Sequence, residues 1–586
     1  EVVSVEYYFL RRVNYKLFNR LSVKKLYVED LHKDTLLSIE NTYLDFDLFQ
    51  IIKGNILFTS AIFNQLEANI VKYNNGTTNL DFIIETFKQP KKDSISNIRY
   101  QIRRFKIKDS RISYRVESDT IRKYVSRLKP NDILITNLNT DIGLNILNKD
   151  SVNLIIRDLS FEEKSGFELD HFSTKIIANQ KETKITHIDL ELPNTNVYFS
   201  EIKLKYGSLA ALKKNIYENL RFVIPLSTSE IYLSDFSAFV PAFEQMNKRI
   251  ELSTTISGNI ANLVVAGFNL NHERKLFLKT DFEVNGLPDF DNLFIYSNIN
   301  ELTVDRPEIQ DIISRITRKP FILPKELNNL GVVNYKGNIT GFMNNLVAFG
   351  KLKTDIGSIS TDILVKFDNA FKDIEYNGKL STNHLNLSHL LNSKNVGSIT
   401  MDISTKGKKT TKSPLKGNIN GTIHSFDLMD YNYKDIKLDG KYDGSGFDGE
   451  ININDPNIVA DFKGVIDARR KLPVYNFDLD VYNANLYALH LVKKIKDFSV
   501  SFQANTNITG KNADNINGNL SLNNISISTY RKAINIDELT VISRIDNNHT
   551  NINIHSDYIN GSISGLFTYS KLPAFANNIL QEYIPS

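Results

Sequence analysis

One segment, Val333–Phe367, reads VNYKGNITGFMNNLVAFGKLKTDIGSISTDILVKF and alternates apolar with polar residues along most of its length. Ile339 lies between Asn338 and Thr340, and the same alternation returns at Ile363. A period of two sends successive side chains to opposite faces of a β-strand. The alternation therefore predicts strands that each have one apolar face and one polar face.

The longer stretch from Asp281 to Phe367 adds one helix to these strands. Apolar residues at helical spacing, a proline at the start and Pro320 beyond the end predict a helix over Pro307–Arg318. Strand patterns separated by short turns fill most of the rest of the chain, so we predict a mainly β fold with a few short peripheral helices. The further helices are predicted over residues 1–20, 80–87, 208–220, 236–248, 384–391, 486–496 and 573–583.

The apolar faces of so many strands must be buried against something. The sequence predicts no set of long helices that could cover them. The sheet can therefore fold onto another sheet, close on itself, or line an apolar groove that a ligand fills. Periodicity alone does not separate a groove from a series of closed sandwiches.

Composition excludes several classes of protein. The chain of 586 residues has no cysteine, which removes disulfides, thiolate metal sites and a cysteine nucleophile. Its net charge of +4 is too small to predict a nucleic-acid partner. No apolar run of 18 or more residues predicts a membrane span. Because the chain begins at Glu1 rather than at a methionine, we expect it to be a processed piece of a longer protein.

The most basic stretch covers residues 99–129. There Phe105 and Ile107 alternate with Arg104, Lys106 and Lys108, which predicts a strand with a charged outer face. Such a face can bind anionic headgroups, or it can simply keep the strand soluble.

No catalytic or metal motif stands out. His384 and His389 are five residues apart, which does not place them on a shared helical metal face. The acidic run Asp439–Asp455 lacks the ordered ligands of a calcium loop and is typical of Asp-Gly hairpin turns. We therefore expect no cofactor, no metal and no enzyme activity.

A series of phrases carries a family resemblance. They include LFNRLSVKKLYVEDLHKDTLLSIE (Leu17–Glu40), TTNLDFIIETF (Thr77–Phe87), DILITNLNTDI (Asp132–Ile142), IDLELPNT (Ile188–Thr195) and DFSAFVPAF (Asp235–Phe243). Together with the stretch from Val284 to Gly357, and in this order, they resemble the TamB group of the AsmA-like, bridge-type lipid transport family in the Bacteroidota.

The resemblance implies a long continuous antiparallel curved sheet, a β-taco with a U-shaped apolar groove. It implies a periplasmic protein that moves phospholipids between inner and outer membranes, held by an N-terminal anchor and joined by a C-terminal domain to a TamA-like outer-membrane barrel of the Omp85 type. Neither of those parts is evident here. The expected segments are a basic amphipathic helix at 1–20, an N-terminal β-taco at 21–250, a continuous β-taco meander at 251–572 and a helical end at 573–586.

Under this interpretation the candidate site residues are inward-facing apolar side chains that line a lipid groove. They are Ile339, Leu352, Ile363, Val365, Phe367, Ile419, Ile451, Ile453, Phe477, Leu479, Val481, Ile525, Ile527, Ile552 and Ile554. The alternatives are a structural or adhesive β-rich surface protein with closed sandwich cores, and a polysaccharide-acting β-solenoid. The solenoid predicts a strict short repeat and a carboxylate cluster, and neither is clear in the sequence.

Overall fold

The fold was examined in a computed structural model of the chain. Strands make up 69% of it. The residues it describes are 8–16, 19–53, 57–83, 101–117, 127–147, 150–273, 275–289, 292–305, 307–308, 310–311, 314, 330–368, 373–546 and 549–571.

The chain divides into two compact units, Glu1–Ile322 (unit 1) and Leu323–Ser586 (unit 2). The boundary expected at 250/251 falls inside a strand of unit 1, Arg249–Asn259. Each unit is built on a ladder of strands, and the prediction of a mainly β, largely antiparallel fold is confirmed.

Unit 1 contains seventeen strands in its described residues. They are β1 (Tyr8–Lys16), β2 (Arg20–Glu29), β3 (Thr35–Phe46), β4 (Leu57–Lys72), β5 (Gln101–Ile102), β6 (Arg104–Val116), β7 (Asp132–Leu147), β8 (Ser151–Glu163), β9 (Glu168–Leu169), β10 (His171–Asn179), β11 (Glu182–Glu191), β12 (Asn196–Lys205), β13 (Arg221–Tyr232), β14 (Arg249–Asn259), β15 (Asn262–His272), β16 (Leu276–Asn285) and β17 (Phe294–Asp305).

Most neighbours in the ladder of unit 1 are antiparallel, but β4 runs parallel to β5 and β6. Parallel strands cannot be joined by a tight hairpin. The sheet is therefore mixed at this point, although most of its described pairings are antiparallel. A buried cluster of Ile39, Leu66, Ile107 and Leu138 joins β3, β4, β6 and β7.

Unit 2 is a plain antiparallel meander in which each strand pairs with the next. Its strands are β18 (Val332–Phe342), β19 (Asn345–Thr354), β20 (Gly357–Phe367), β21 (Ile374–Asn386), β22 (Val396–Thr410), β23 (Ser413–Leu428), β24 (Tyr431–Asp443), β25 (Gly446–Asp455), β26 (Ile458–Asp467), β27 (Val474–Asn485), β28 (Ser499–Thr509), β29 (Asn517–Ser528), β30 (Ala533–Asp546), β31 (His549–Ser556) and β32 (Asn560–Gly565).

Helices in the described residues are short. The α-helices are α1 (Leu48–Ile52), α2 (Leu209–Lys214), α3 (Ile216–Asn219) and α4 (Leu387–Leu391), and the 3-10 turns are Leu233–Phe236, Pro241–Phe243, Ala513–Asn515 and Tyr569–Lys571. The helix predicted at 208–220 is confirmed as α2 and α3, and the helix predicted at 384–391 is confirmed over Leu387–Leu391, whereas residues 384–386 belong to β21. Of the helices predicted at 80–87 and 307–318, residues 81–83, 307–308, 310–311 and 314 are helical and Leu80 lies in a turn. The other residues of those two helices and the whole of 573–583 lie outside the described residues.

Three predicted helices are wrong where they are described. Residues 8–16 form β1, which pairs with β2. The apolar residues Phe9 and Val13 are four apart, and because four is even they share a face in a strand as well as in a helix. Residues 236–248 form turns and two 3-10 segments, one of which begins at Pro241. Residues 486–496 form turns and bends.

Candidate functional site

All fifteen candidate residues lie in unit 2, and strand register places them on one face of its sheet. Cross-strand partners share a face, so the face can be followed from strand to strand. Ile339 pairs with Ala348, Ala348 with Ile363, and Ile363 with Gly378. The same tracing continues through β22 to β31 and reaches Ile554. The face defined in this way is called the apolar face.

β-bulges keep this face apolar at positions where apolar and polar residues do not alternate strictly. The register shifts between Val481 and Ala484, so both side chains lie on the apolar face although they are three residues apart. Such β-bulges insert an extra residue in one strand and re-aim the side chains that follow.

Most of the apolar face is only half-buried. Val481, Ile525 and Ile552 are 6%, 7% and 5% exposed, whereas the other twelve candidate residues are intermediate. The main contacts of each strand are with its neighbours in the ladder. A closed sandwich core would bury most of these side chains, since two inner faces interdigitate there. The face therefore has the exposure of a partly open apolar surface.

One edge of the apolar face is covered. This edge, the capped rim, is formed by residues 385–399 between β21 and β22 and by residues 484–500 between β27 and β28. Leu387 and Leu390 of α4 and its flank pack on the buried Ile356, Leu385 and Ile399. A second cluster forms where Leu489, 1% exposed, packs with Ala460, Val481 and Ala484.

The opposite edge is more open. This turn rim comprises residues 364–368, 373–377, 406–418 and 441–448, where β20 meets β21, β22 meets β23 and β24 meets β25. Its apolar-face residues Val365, Tyr376, Tyr442 and Phe447 are half-buried. Farther along the same edge, a depression of about 420 Å³ opens on the apolar face between Tyr475, Phe477, Ile508 and Leu520.

Glycines make room for aromatic rings on the apolar face. Gly440, Gly449 and Gly464 are successive cross-strand partners in β24, β25 and β26. The rings of Phe462 and Phe477 lie beside this row with centroids 5.1 Å apart. A Cβ at Gly464 would lie 2.6 Å from the Cβ of Phe477, so the glycine is needed for the ring to lie flat there.

Two tyrosines meet over glycines at the turn rim. The phenols of Tyr376 and Tyr442 hydrogen-bond to each other, and Thr405 Oγ1 lies 3.1 Å from the Tyr442 hydroxyl. Between their strands, Gly407 and Gly417 are direct partners and present no side chain. Burial, helped by the hydrogen bond with Tyr442, raises the pKa of the Tyr376 phenol well above its ordinary value. Tyr376 is therefore a protonated polar group at the edge of an apolar surface.

The other face of unit 2 is polar. Lys463 Nζ lies 2.8 Å from Glu450 Oε1 on the neighbouring strand, and Asn505 Nδ2 donates to Asp478 Oδ1 at 2.6 Å. The acidic run Asp439–Asp455 is the hairpin of β24 and β25, as the Asp-Gly pattern predicts. Gly444 at its tip has φ of +57°, a conformation that glycine adopts without strain.

Part of the basic stretch of unit 1 pairs with a carboxylate on the neighbouring strand. In β6, Arg104 bonds Asp141 of β7, and Lys106 Nζ lies 3.5 Å from the same carboxylate. Arg157 approaches it at 3.3 Å. The hydrogen bond from Arg104 lowers the pKa of Asp141. This arrangement fits a solvated strand better than an anion site.

Other chemistry is not assembled in the described part of the chain. There, no group of three or more His, Asp or Glu side chains is placed to hold a metal ion. His384 Nδ1 lies 2.5 Å from Asn383 Oδ1 in an exposed position. None of the described helices has the length and apolar character needed to cross a bilayer.

Sequence reasoning missed part of the apolar face. Tyr376, Tyr442, Phe447 and Phe462 belong to it by register, although none was a candidate. The alternation that selected Ile451 would also have found Phe447 and Phe462. The meeting of Tyr376 with Tyr442, 66 positions apart, had no signal in the sequence.

Comparison with family models, with curated proteins and with solved structures finds no match to the chain. The argument about its function therefore rests on its own residues and on their arrangement.

Proposed function

We propose that the apolar face of unit 2 binds the acyl chains of phospholipids, and that the chain is a periplasmic conduit for lipid between inner and outer membranes. The observation that carries the proposal is the continuous apolar face from β18 to β31, on which most candidate side chains are half-buried. The ordered resemblance to the bridge-type lipid transport family supports the same function. In that setting a TamA-like outer-membrane barrel is the expected partner.

Acyl chains would cover the apolar side chains that the protein itself leaves half-buried. Each buried methylene contributes about 0.8 kcal/mol, so a two-chain lipid gains several kcal/mol when it lies on the sheet. Ile363, Ile451 and Ile554 lie on different strands of the same face and offer similar contacts. When successive sites bind with similar affinity, a lipid can move along the sheet without being held at one site. The polar face remains hydrated.

Photocrosslinking tests lipid occupancy directly. Photoreactive residues at Phe367 and Leu479 report on the apolar face, and residues at Asn338 and Asp478 report on the polar face. We expect phospholipid adducts in cells from the first two positions and none from the controls. Adducts at all four positions, or at none, would contradict the proposal.

A charge on the apolar face tests transport. Leu479→Arg and Phe367→Asp place an ion where acyl chains must lie, and burying an unpaired charge is costly. We expect both variants to stop lipid movement, whereas Asp478→Arg on the adjacent polar face leaves it intact. Normal lipid movement in both apolar-face variants would overturn the conduit.

A structural or adhesive role is the second candidate. The buried clusters at the capped rim, around Leu385 and Leu489, favour closed cores over part of the sheet. If this role is correct, photoreactive residues at Phe367 and Leu479 crosslink to protein rather than to lipid.

A further inference from the structure

A cluster of lysines lines a depression of about 690 Å³ at the turn rim. The lysines come from four strands, β20, β22, β23 and β24, and most lining residues belong to the polar face. The lysines are Lys366, Lys406, Lys408, Lys416 and Lys441.

These lysines are not neutralised by the protein. Among the described residues, no carboxylate lies within ion-pair distance of any of the five. Asp443 pairs by register with Lys416, but its carboxylate bonds Arg469 instead. Glu375 also lines the depression and is the cross-strand partner of Lys366 and Lys408, although no ion pair joins it to either lysine. The lining therefore has more positive than negative charge.

The centre of the cluster contains a pair of like charges. Lys408 and Lys416 are direct cross-strand partners, with Glu375 and Asp443 as their partners on the outer sides. Like charges placed opposite each other destabilise an antiparallel pair. By contrast, Lys463 is opposite Glu450 and bonds it at 2.8 Å. An anion in the depression would remove the repulsion between the two lysines.

The same depression reaches the apolar face. Its lining includes Tyr376 and Tyr442, together with Gly407 and Gly417 between them. By register the lysines and the phenols lie on opposite faces of the sheet, and the depression is lined by residues of both faces at the rim. Aromatic residues with a polar tip suit the boundary between an apolar phase and water.

We propose that this part of the turn rim binds the phosphate of a glycerophospholipid headgroup. Lys408 and Lys416 would hold the phosphate oxygens, the phenols would face the glycerol and ester region, and the acyl chains would lie on the apolar face. A lipid is favoured over a soluble phosphate because the depression adjoins both the lysines and the apolar surface. The inference rests on the proposed function and assigns its headgroup site.

A matched pair of variants separates ligand binding from sheet stability. Lys336 and Lys351 are also direct cross-strand partners on the polar face, are exposed, and do not line the depression. Lys336→Gln/Lys351→Gln therefore removes a pair of like charges and the same total charge as Lys408→Gln/Lys416→Gln, but from a site whose described cross-strand pairings include no acidic partner such as Glu375 or Asp443. Lys408→Arg/Lys416→Arg retains the positive charge at the proposed site.

Binding is measured on the full 586-residue chain with phosphatidylglycerol and diacylglycerol that carry the same fluorescent acyl chain. We expect Lys408→Gln/Lys416→Gln to bind phosphatidylglycerol about tenfold more weakly, the scale of a lost charge-assisted hydrogen bond, and to bind diacylglycerol normally. The Arg pair and the Lys336→Gln/Lys351→Gln control should bind both lipids like the unaltered chain. Added salt should weaken phosphatidylglycerol binding more in the unaltered chain than in the Gln pair.

Three results would contradict the proposed headgroup site, and they differ in what they imply for the proposed function. Unchanged phosphatidylglycerol binding by Lys408→Gln/Lys416→Gln refutes the headgroup site but leaves the conduit standing, provided that diacylglycerol binds. Inorganic pyrophosphate that binds as tightly as phosphatidylglycerol assigns the lysines to a soluble anion. Failure of the unaltered chain to bind either lipid refutes the proposed function itself.

Discussion

The two rims of the sheet in unit 2 differ in what covers them. At the capped rim, long connections fold back onto the apolar face and bury Leu385 and Leu489. At the turn rim, short hairpins leave Val365 and Phe447 half-buried. One sheet thus combines an edge that is covered by its own connections with an edge whose apolar side chains are half-buried.

The difference arises from the connections rather than from the strands. Apolar residues occupy the same face near both rims, so the alternation is equally strong in each. The connection formed by residues 486–498 is long enough to fold back and pack Leu489 against the apolar face. The loop between β22 and β23, by contrast, consists of residues 411 and 412 alone. The turn rim is therefore more open than the capped rim because the β22–β23 loop is too short to cover the apolar face.

The largest expected effect is a difference in the free energy of unfolding between a variant at the capped rim and a variant at the turn rim. Leu489→Ala leaves a cavity at a fully buried position and should lower the free energy of unfolding by about 2–5 kcal/mol. Val365→Ala removes half-exposed methyl groups at the turn rim and should cost about 1 kcal/mol or less. Urea unfolding of the full chain measures both values, and equal losses would erase the distinction between the rims.

A glycine substitution at the turn rim should have the next largest effect. A Cβ at Gly417 would lie 2.3 Å from the carbonyl oxygen of Lys406 and 2.6 Å from Gly407 Cα. Because these are backbone atoms, Gly417→Ala should cost about 1–3 kcal/mol by overpacking. Gly561→Ala is the control, since its Cβ would meet nothing within 4 Å. Equal unfolding midpoints for the two variants would contradict the close approach of β22 and β23.

Alkaline pH tests the tyrosine pair. Burial raises the folded-state pKa of Tyr376 above its ordinary value of 10.0, so the stability it confers is present below about pH 10 and is lost as pH rises through the folded-state pKa. Tyr376→Phe should cost about 1 kcal/mol at neutral pH because the hydrogen bond is lost. Above pH 10 its stability should fall less steeply than that of the unaltered chain. Parallel stability curves against pH would show that Tyr376 titrates as an exposed phenol.

Much of this arrangement could be predicted from the sequence. Alternation alone placed Ile419, Phe477 and Ile554 on a common face, because a side-chain period of two is local and strand neighbours share faces. Where the period slips, as between Leu522 and Ile525, only the pairing shows that both lie on the apolar face. Cross-strand register depends on atoms far apart in the chain.

The covering of one rim could not be predicted. Leu486, Leu489 and Val492 are spaced three apart, which favours a helix, but Leu489 packs against β26 and β27 within a turn. The parallel pairing of β4 with β6 could not be predicted either, because nothing in the sequence of either strand specifies its partner. In each case a contact between distant parts of the chain overrides the local pattern.

The smallest effect concerns the lysine pairs. Without lipid, Lys336→Gln/Lys351→Gln should stabilise the chain by about 0.2–1 kcal/mol, because it removes like charges that face each other across two strands. Lys408→Gln/Lys416→Gln should stabilise the chain less, because it also removes the attraction of these lysines to Glu375 and Asp443. With saturating phosphatidylglycerol the two double variants should differ in stability, because a ligand that binds only the folded state stabilises it more when it binds more tightly. The melting temperature of the Lys336 pair should then rise like that of the unaltered chain, and that of the Lys408 pair should rise less. Equal rises in all three would show that the turn rim contributes no more to phosphate binding than the rest of the polar face.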